Sequence, residues 1–263
     1  MTIDFHTHAF PDKIAERAVL KLSDSSGGLH PYTDGTADGL AARMRESGVD
    51  LSVVLSIATN AHQQKSVNDF AAMLNERDEF AAFGSVYPDA PDALDEVDRI
   101  ADMGLLGIKL HPDYQGFEVD DEKMIPLYKR ISHHGLITIF HAGVDYGFAP
   151  PYGGTPEKMK RALRHFDSPV VAAHFGGVDS YEEVLSTLAG EDLYFDTSMG
   201  YGMMPKYYAL KIIEKHGVDR MLFGTDSPWH SAEMERRLLS SLSLTEEELA
   251  KIYSGNAKRL LRL

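Results

Sequence analysis

Ile3-Asp4-Phe5-His6-Thr7-His8 opens the chain with apolar residues at positions 3 and 5 and polar ones at 4, 6 and 8. That alternation has the period of two that belongs to a β-strand. It predicts Asp4, His6 and His8 on one strand face, with about 7 Å between successive Cα atoms on that face. Two imidazoles held this way can share one divalent cation, each through a ring nitrogen at about 2.0–2.1 Å. A chain with 12 histidines can place two of them close together by chance, so the pattern gains weight only from residues further along the chain.

Seven more apolar, β-rich stretches give eight segments in all: 3–8, 51–58, 80–87, 105–111, 136–141, 170–174, 193–197 and 221–225. Stretches with helical spacing separate them. Pro11 precedes Ile14, Ala18 and Leu22; Asp121 precedes Met124, Leu127, Tyr128 and Ile131; Pro156 opens another stretch, and one more begins after Ser180. Strand and helix alternating throughout is the signature of parallel βαβ units. Eight such units in this length predict an α/β protein of the (β/α)8 TIM-barrel class, with one domain over residues 1–263. A doubly wound open sheet is the second choice, and no Gly-x-Gly-x-x-Gly turn after the first strand supports it. Near the end, Thr245-Glu246-Glu247-Glu248 is a capping box. The helix it starts is expected to break at Ser254-Gly255-Asn256 and resume at Ala257 as a closing element beneath or beside the barrel.

Composition narrows the functions. With 26 Lys and Arg against 40 Asp and Glu, the net charge is −14, and no basic stripe offsets it. Nucleic acid is therefore excluded as a partner. The absence of cysteine excludes disulfides, thiolate metal sites and cysteine nucleophiles. No leader or membrane-length apolar run is evident. A cytoplasmic protein acting on a small molecule is expected, free or as a homo-oligomer.

In a barrel of this class, chemistry gathers at the C-terminal ends of the strands. Polar, metal-competent residues stand there in five of the eight segments. They are His6 and His8; Lys109 and His111 in Gly107-Ile108-Lys109-Leu110-His111-Pro112; His141 in Phe140-His141-Ala142-Gly143; His174 in Ala173-His174-Phe175-Gly176-Gly177; and Asp226 in Gly224-Thr225-Asp226-Ser227-Pro228. A common metal site explains that recurrence better than five independent surface residues.

Together with Gly255-Asn256-Ala257, this ordered set resembles the amidohydrolase superfamily of metal-dependent (β/α)8 enzymes. Within it, the chain is most similar to the amidohydrolase-related branch that contains aminocarboxymuconate-semialdehyde decarboxylase. The resemblance implies that His6, His8, His141 and Asp226 bind a divalent metal, zinc first and manganese second. It also implies His174 and Asp226 as the catalytic acid/base groups. One ion is favoured, or two if Lys109 is carboxylated. Such a donor set leaves a coordination position open, as catalytic zinc requires. Lys109 has three readings: a carbamate ligand, an ammonium that binds a substrate carboxylate, or a salt-bridged lysine at the barrel rim. His111 is a substrate-binding candidate or a solvated loop residue. Asp4 would orient an imidazole or pair with another buried group.

Aromatic, glycine-rich stretches at 145–154 and 199–205 suit a pocket cover, and Trp229 suits a pocket wall or packing at the barrel top. Three functions are compatible with these residues. The first is a metal-dependent hydrolase whose activated water attacks an amide, lactone or related ester of a small carboxylate-bearing substrate. The second is a non-oxidative decarboxylase of a small unsaturated or aromatic acid. The third is a barrel that binds metal or a small molecule without catalysis.

Overall fold

A computed structural model describes residues 1–263. All eight expected strands form: β1 Ile3–Thr7, β2 Leu51–Leu55, β3 Phe80–Ser85, β4 Gly107–Leu110, β5 Ile137–Phe140, β6 Val170–Ala172, β7 Tyr194–Asp196 and β8 Met221–Leu222. They pair in parallel and in sequence order. The ring closes between its last and first strands through Phe5 N to Phe223 O (2.7 Å), Asp226 N to His6 O (2.8 Å) and His8 N to Ser227 O (2.7 Å). This is the (β/α)8 barrel, and the chain is long enough for each strand to be covered on both faces.

The two faces of the strands supply two cores. Leu51, Val53 and Leu55 point inward with Ile3, Phe5 and Phe83. Val54, Ala82, Ile108 and Phe140 point outward under the surrounding helices. Side-chain caps start several of those helices: Thr36 accepts from Gly39 N, Asn60 from Gln63 N and Ser231 from Met234 N. Each cap satisfies a backbone N–H that the first helical turn leaves unpaired.

Two sequence expectations need correction. Asp4 does not share a face with His6 and His8. Asp4 pairs with Ser52 and Thr7 with Val54, so three steps along β1 match two along β2. This β-bulge turns the strand by one residue, so that Phe5 stays in the inner core while His6 and His8 reach the mouth. Asp4 instead accepts hydrogen bonds from Thr225 N (3.0 Å) and Thr225 Oγ1 (2.7 Å), tying β1 to the end of β8.

The C-terminal helix also does not break. The Thr245–Glu248 capping box forms, and the chain then passes through residues 251–255 as one wide π-turn into helix Asn256–Leu261. Gly255 remains helical, at φ −57° and ψ −45°. The wider turn frees the Ile252 carbonyl, which accepts from Phe223 N at 2.9 Å. Asn256 Nδ2 donates to both Val218 O and Met221 O at 2.7 Å. Ala257, Leu260 and Leu261 then join the inner core and plug the floor of the barrel.

Candidate active site

The opposite end of the barrel holds the buried polar groups. His6, Lys109, His111, His141 and His174 are buried there and, with His8 and Asp226, line a cavity of about 420 Å³; Asp196 is buried with them but outside the lining. Gly224 makes room for the first of them: a Cβ at that position would lie 3.1 Å from the His6 Cβ and 3.2 Å from the Asp196 Cβ. Three cavity residues have left-handed backbones that are unusual outside glycine: His174 (φ 59°), Met199 (φ 57°) and Asp226 (φ 68°). Such backbone strain clusters at functional sites, where surrounding structure holds it in place.

Hydrogen-bond partners fix the imidazole tautomers. His8 Nδ1 faces the Leu55 carbonyl at 2.7 Å, which can only accept, so Nδ1 carries the hydrogen. His6 Nδ1 faces Asp196 Oδ2 at 2.9 Å and likewise donates. The Nε2 atoms of both rings therefore present lone pairs, and both converge on Asp226 Oδ1, at 3.2 Å from His6 and 3.0 Å from His8. Burial pushes the His6 pKa down, and Lys109 pushes it further, so the ring is neutral. When both rings are neutral, three acceptor atoms meet at this point.

A second chain of hydrogen bonds reaches the same result at His141. Asp196 Oδ1 takes the Ser198 hydroxyl hydrogen in a very short contact. Ser198 Oγ must then accept from His174 Nδ1, 2.8 Å away. His174 Nε2 in turn accepts from His141 Nδ1 at 3.2 Å. Burial lowers the His174 pKa to about 4, which keeps this ring neutral. His141 Nε2 is left as a buried lone pair with no partner, and an orphan of that kind calls for a ligand. The His174 ring stands between the other two, with its centroid 5.0 Å from that of His6 and 5.0 Å from that of His141.

The donor set therefore fits a divalent cation. His6, His8 and Asp226 lie within mutual reach of one ion. His141 stands in a neighbouring group with His111 and Asp145, and its ring lines the same cavity. The contacts to both histidines are made by Oδ1 of Asp226, which leaves Oδ2 free of them.

Lys109 is not a rim residue. It is 1% exposed, no carboxylate lies within ion-pair distance, and its Nζ is 3.4 Å from His6 Nε2. Burial lowers its pKa to about 8, partly offset by Asp226 and Asp196. His111 is not a solvated loop residue either. Its Nδ1 caps the short helix Pro112–Gln115 by accepting from Tyr114 N, its Nε2 faces Asp145 Oδ2 at 3.2 Å, and its ring stacks on His141 at 4.2 Å. What His111 offers a ligand is ring surface rather than a free nitrogen. Trp229, Met199 and Tyr146 line the cavity.

Sequence reading misses Asp196 and Ser198, which orient His6 and His174. Burial raises the Asp196 pKa, but His6, His174 and Ser198 outweigh it and keep the carboxyl ionised. A signal exists: Asp196 ends an apolar strand, much as Asp226 does. Also missed is Glu235, buried on the helix after β8, which accepts from Gly200 N at 3.2 Å and faces His230 Nδ1 at 2.6 Å. Glu235 thereby joins the loops that follow β7 and β8.

An eight-stranded parallel barrel with buried His, Asp and Lys at its C-terminal mouth is the arrangement of a (β/α)8-barrel enzyme. The family model described as Amidohydrolase matches residues 3–263, and the chain belongs to that family. An uncharacterized TIM-barrel protein from Bordetella bronchiseptica shares the fold at TM-score 0.79 and 23% identity, over 99% of this chain and 98% of that one. The 5-carboxyvanillate decarboxylase of Sphingomonas paucimobilis matches at TM-score 0.75 and 17% identity, over 100% of this chain and 99% of that one. A dihydroxybenzoic acid decarboxylase from Polaromonas sp. JS666, solved with manganese and the inhibitor 2-nitroresorcinol, matches at TM-score 0.73 and 16% identity, over 100% of this chain and 97% of that one. At these identities the likeness is one of fold. No curated protein matches the chain by sequence. No helix is long and apolar enough to cross a membrane.

Proposed function

We propose that this chain is a metal-dependent, non-oxidative decarboxylase of a small aromatic or unsaturated carboxylic acid. The observation that carries the substrate class, a carboxylic acid, is Lys109, a buried cation without a carboxylate partner, in the same cavity as the lone-pair cluster. An ammonium in that position suits a substrate carboxylate. The sequence alone ranks hydrolysis first; the decarboxylase names of the Sphingomonas and Polaromonas proteins add weight to the second choice.

His6, His8, His141 and Asp226 would hold a zinc or manganese ion, which supplies Lewis-acid polarisation of a substrate oxygen. Lys109 Nζ binds and orients the carboxylate. The Asp196–Ser198 pair fixes the His6 and His174 rings, so no reorientation is needed as charge develops. In the reaction, the bond between the ring carbon and the carboxylate carbon breaks. Its electron pair stays on the ring carbon, CO2 leaves, and one proton bonds to that carbon. That proton comes from solvent: the neutral His174 ring relays it to Asp226 Oδ2, the carboxylate oxygen free of His6 and His8, which passes it to the ring carbon. The Phe, Tyr, Met and Trp side chains around the cavity limit water.

The test is product analysis on protein reconstituted with zinc or manganese. Hydroxybenzoates, including 2,6-dihydroxybenzoate and 5-carboxyvanillate, are offered alongside a panel of amides and lactones. The expected result is CO2 release and, in D2O, one deuterium at the vacated ring carbon. Cleavage of an amide or lactone with no CO2 would return the reading to hydrolysis. Lys109→Met should weaken binding of carboxylates while metal content stays at one ion per chain; a fall from two ions to one would make Lys109 a bridging carbamate.

A further inference from the structure

The cavity extends beyond its polar end. From the His and Asp cluster it runs outward between helix Asp12–Ser25 and helix Ala61–Leu74. The first helix buries only Ala15 and Val19. Its other apolar stripe, Ile14, Ala18 and Leu22, lines the cavity. Residues spaced four apart share one helix face, and such a stripe ordinarily covers core; here Ile14 remains 42% exposed. Val67 and Phe70 of the second helix line the cavity too. Charge is confined to the other end, for Lys109 is the only Lys or Arg among the lining residues. A second anionic group on a ligand would find no cation in this groove. At about 420 Å³ the whole cavity falls in the range that encloses drug-sized molecules.

We propose that this groove is a binding subsite for an apolar extension of the substrate. The substrate class is then a monocarboxylic acid whose alkyl or aryl tail points away from the carboxylate. The inference rests on the carboxylate-binding reading of Lys109 given above, and it adds Ile14, Leu22, Val67 and Phe70 as specificity-determining residues.

The experiment is calorimetric titration of the full chain with benzoate, 4-ethylbenzoate and 4-butylbenzoate. Each added methylene buried in the groove should tighten binding about fourfold. Leu22→Asp should reduce that gain to less than twofold. Ile14→Ser, at a half-open position where folding is little affected, should weaken the gain in the same direction. Benzoate binding with no gain along the series overturns the groove proposal and leaves the decarboxylase reading intact. A chain-length gain that survives both substitutions also overturns it. If the gain is present but Lys109→Met leaves every affinity unchanged, the carboxylate reading fails and the groove stands. A flat series together with a dimer that dissociates on Leu22→Asp would assign the groove to a second copy of the chain, against the proposal.

Discussion

The two ends of this barrel are made from the same strands and obey opposite rules. Toward the floor, the buried histidine, His216, is matched at both ring nitrogens. Its Nδ1 accepts from Gly190 N at 3.2 Å, Nε2 donates to Leu193 O at 3.0 Å, and the ring stacks on Phe195 at 3.9 Å. At the mouth, His141 is buried too, yet it keeps one nitrogen without a partner. The His6 and His8 lone pairs face a carboxylate oxygen in place of a donor. A buried acceptor without a donor costs about 1–3 kcal/mol. His216 avoids that cost; the mouth accumulates it, and a bound cation would relieve it. The comparison therefore separates a histidine matched at both nitrogens from histidines left open to a ligand, although burial alone would rank them together.

The largest expected effect breaks the mouth and spares the floor. His174→Asn should lower turnover by about 10²–10⁴-fold, with the thermal midpoint nearly unchanged and the metal retained; full activity would remove His174 from the reaction. Breaking the floor should do the reverse. Phe5→Ala, in the inner core against Phe83 at 5.9 Å, should cost about 3–5 kcal/mol in urea unfolding, with little change in metal content or in turnover of the folded fraction. A large fall in turnover below the unfolding transition would show that the two ends are coupled.

The smallest effect sharpens the contrast through pH. Burial holds His216 at a pKa of about 4, against an ordinary value of 6.5. Between those values the unfolded chain binds a proton that the folded chain refuses, so stability rises with pH. His216 thus contributes fully above about pH 6.5, and the contribution is lost as pH falls toward 4. Stability of the wild type, measured by denaturant unfolding across that window, should decline more steeply than that of His216→Asn. Parallel curves would mean that His216 does not keep its neutral form in the fold.

The sequence reveals the parts of this design that depend on near neighbours. The eight strands follow from apolar runs and their punctuation, and the Thr245–Glu248 cap from a four-residue pattern. Local patterns do not carry the bulge in β1, because a strand's period of two assumes the partner strand keeps step; the alternation therefore puts Asp4 on the wrong face. Nor do they carry the π-turn at 251–255, which exists because Phe223 N and the β8 backbone have groups to satisfy. The His, Lys and Asp candidates at the mouth are legible one by one. What joins them is not: the bond from His6 to Asp196 spans 190 residues, and the partnership of Ser198 with His174 depends on the barrel having closed.

With Asp226, the lone pairs of His6, His8 and His141 would form a site for a divalent cation. Metal content per chain tests it most directly, by elemental analysis of protein purified without added metal and again after titration with zinc and manganese. About one ion per chain is expected in the wild type and in His174→Asn, and close to none in His6→Ala or His141→Ala. A wild-type chain that takes up no ion on titration would contradict it, as would His6→Ala and His141→Ala variants that each keep a full equivalent.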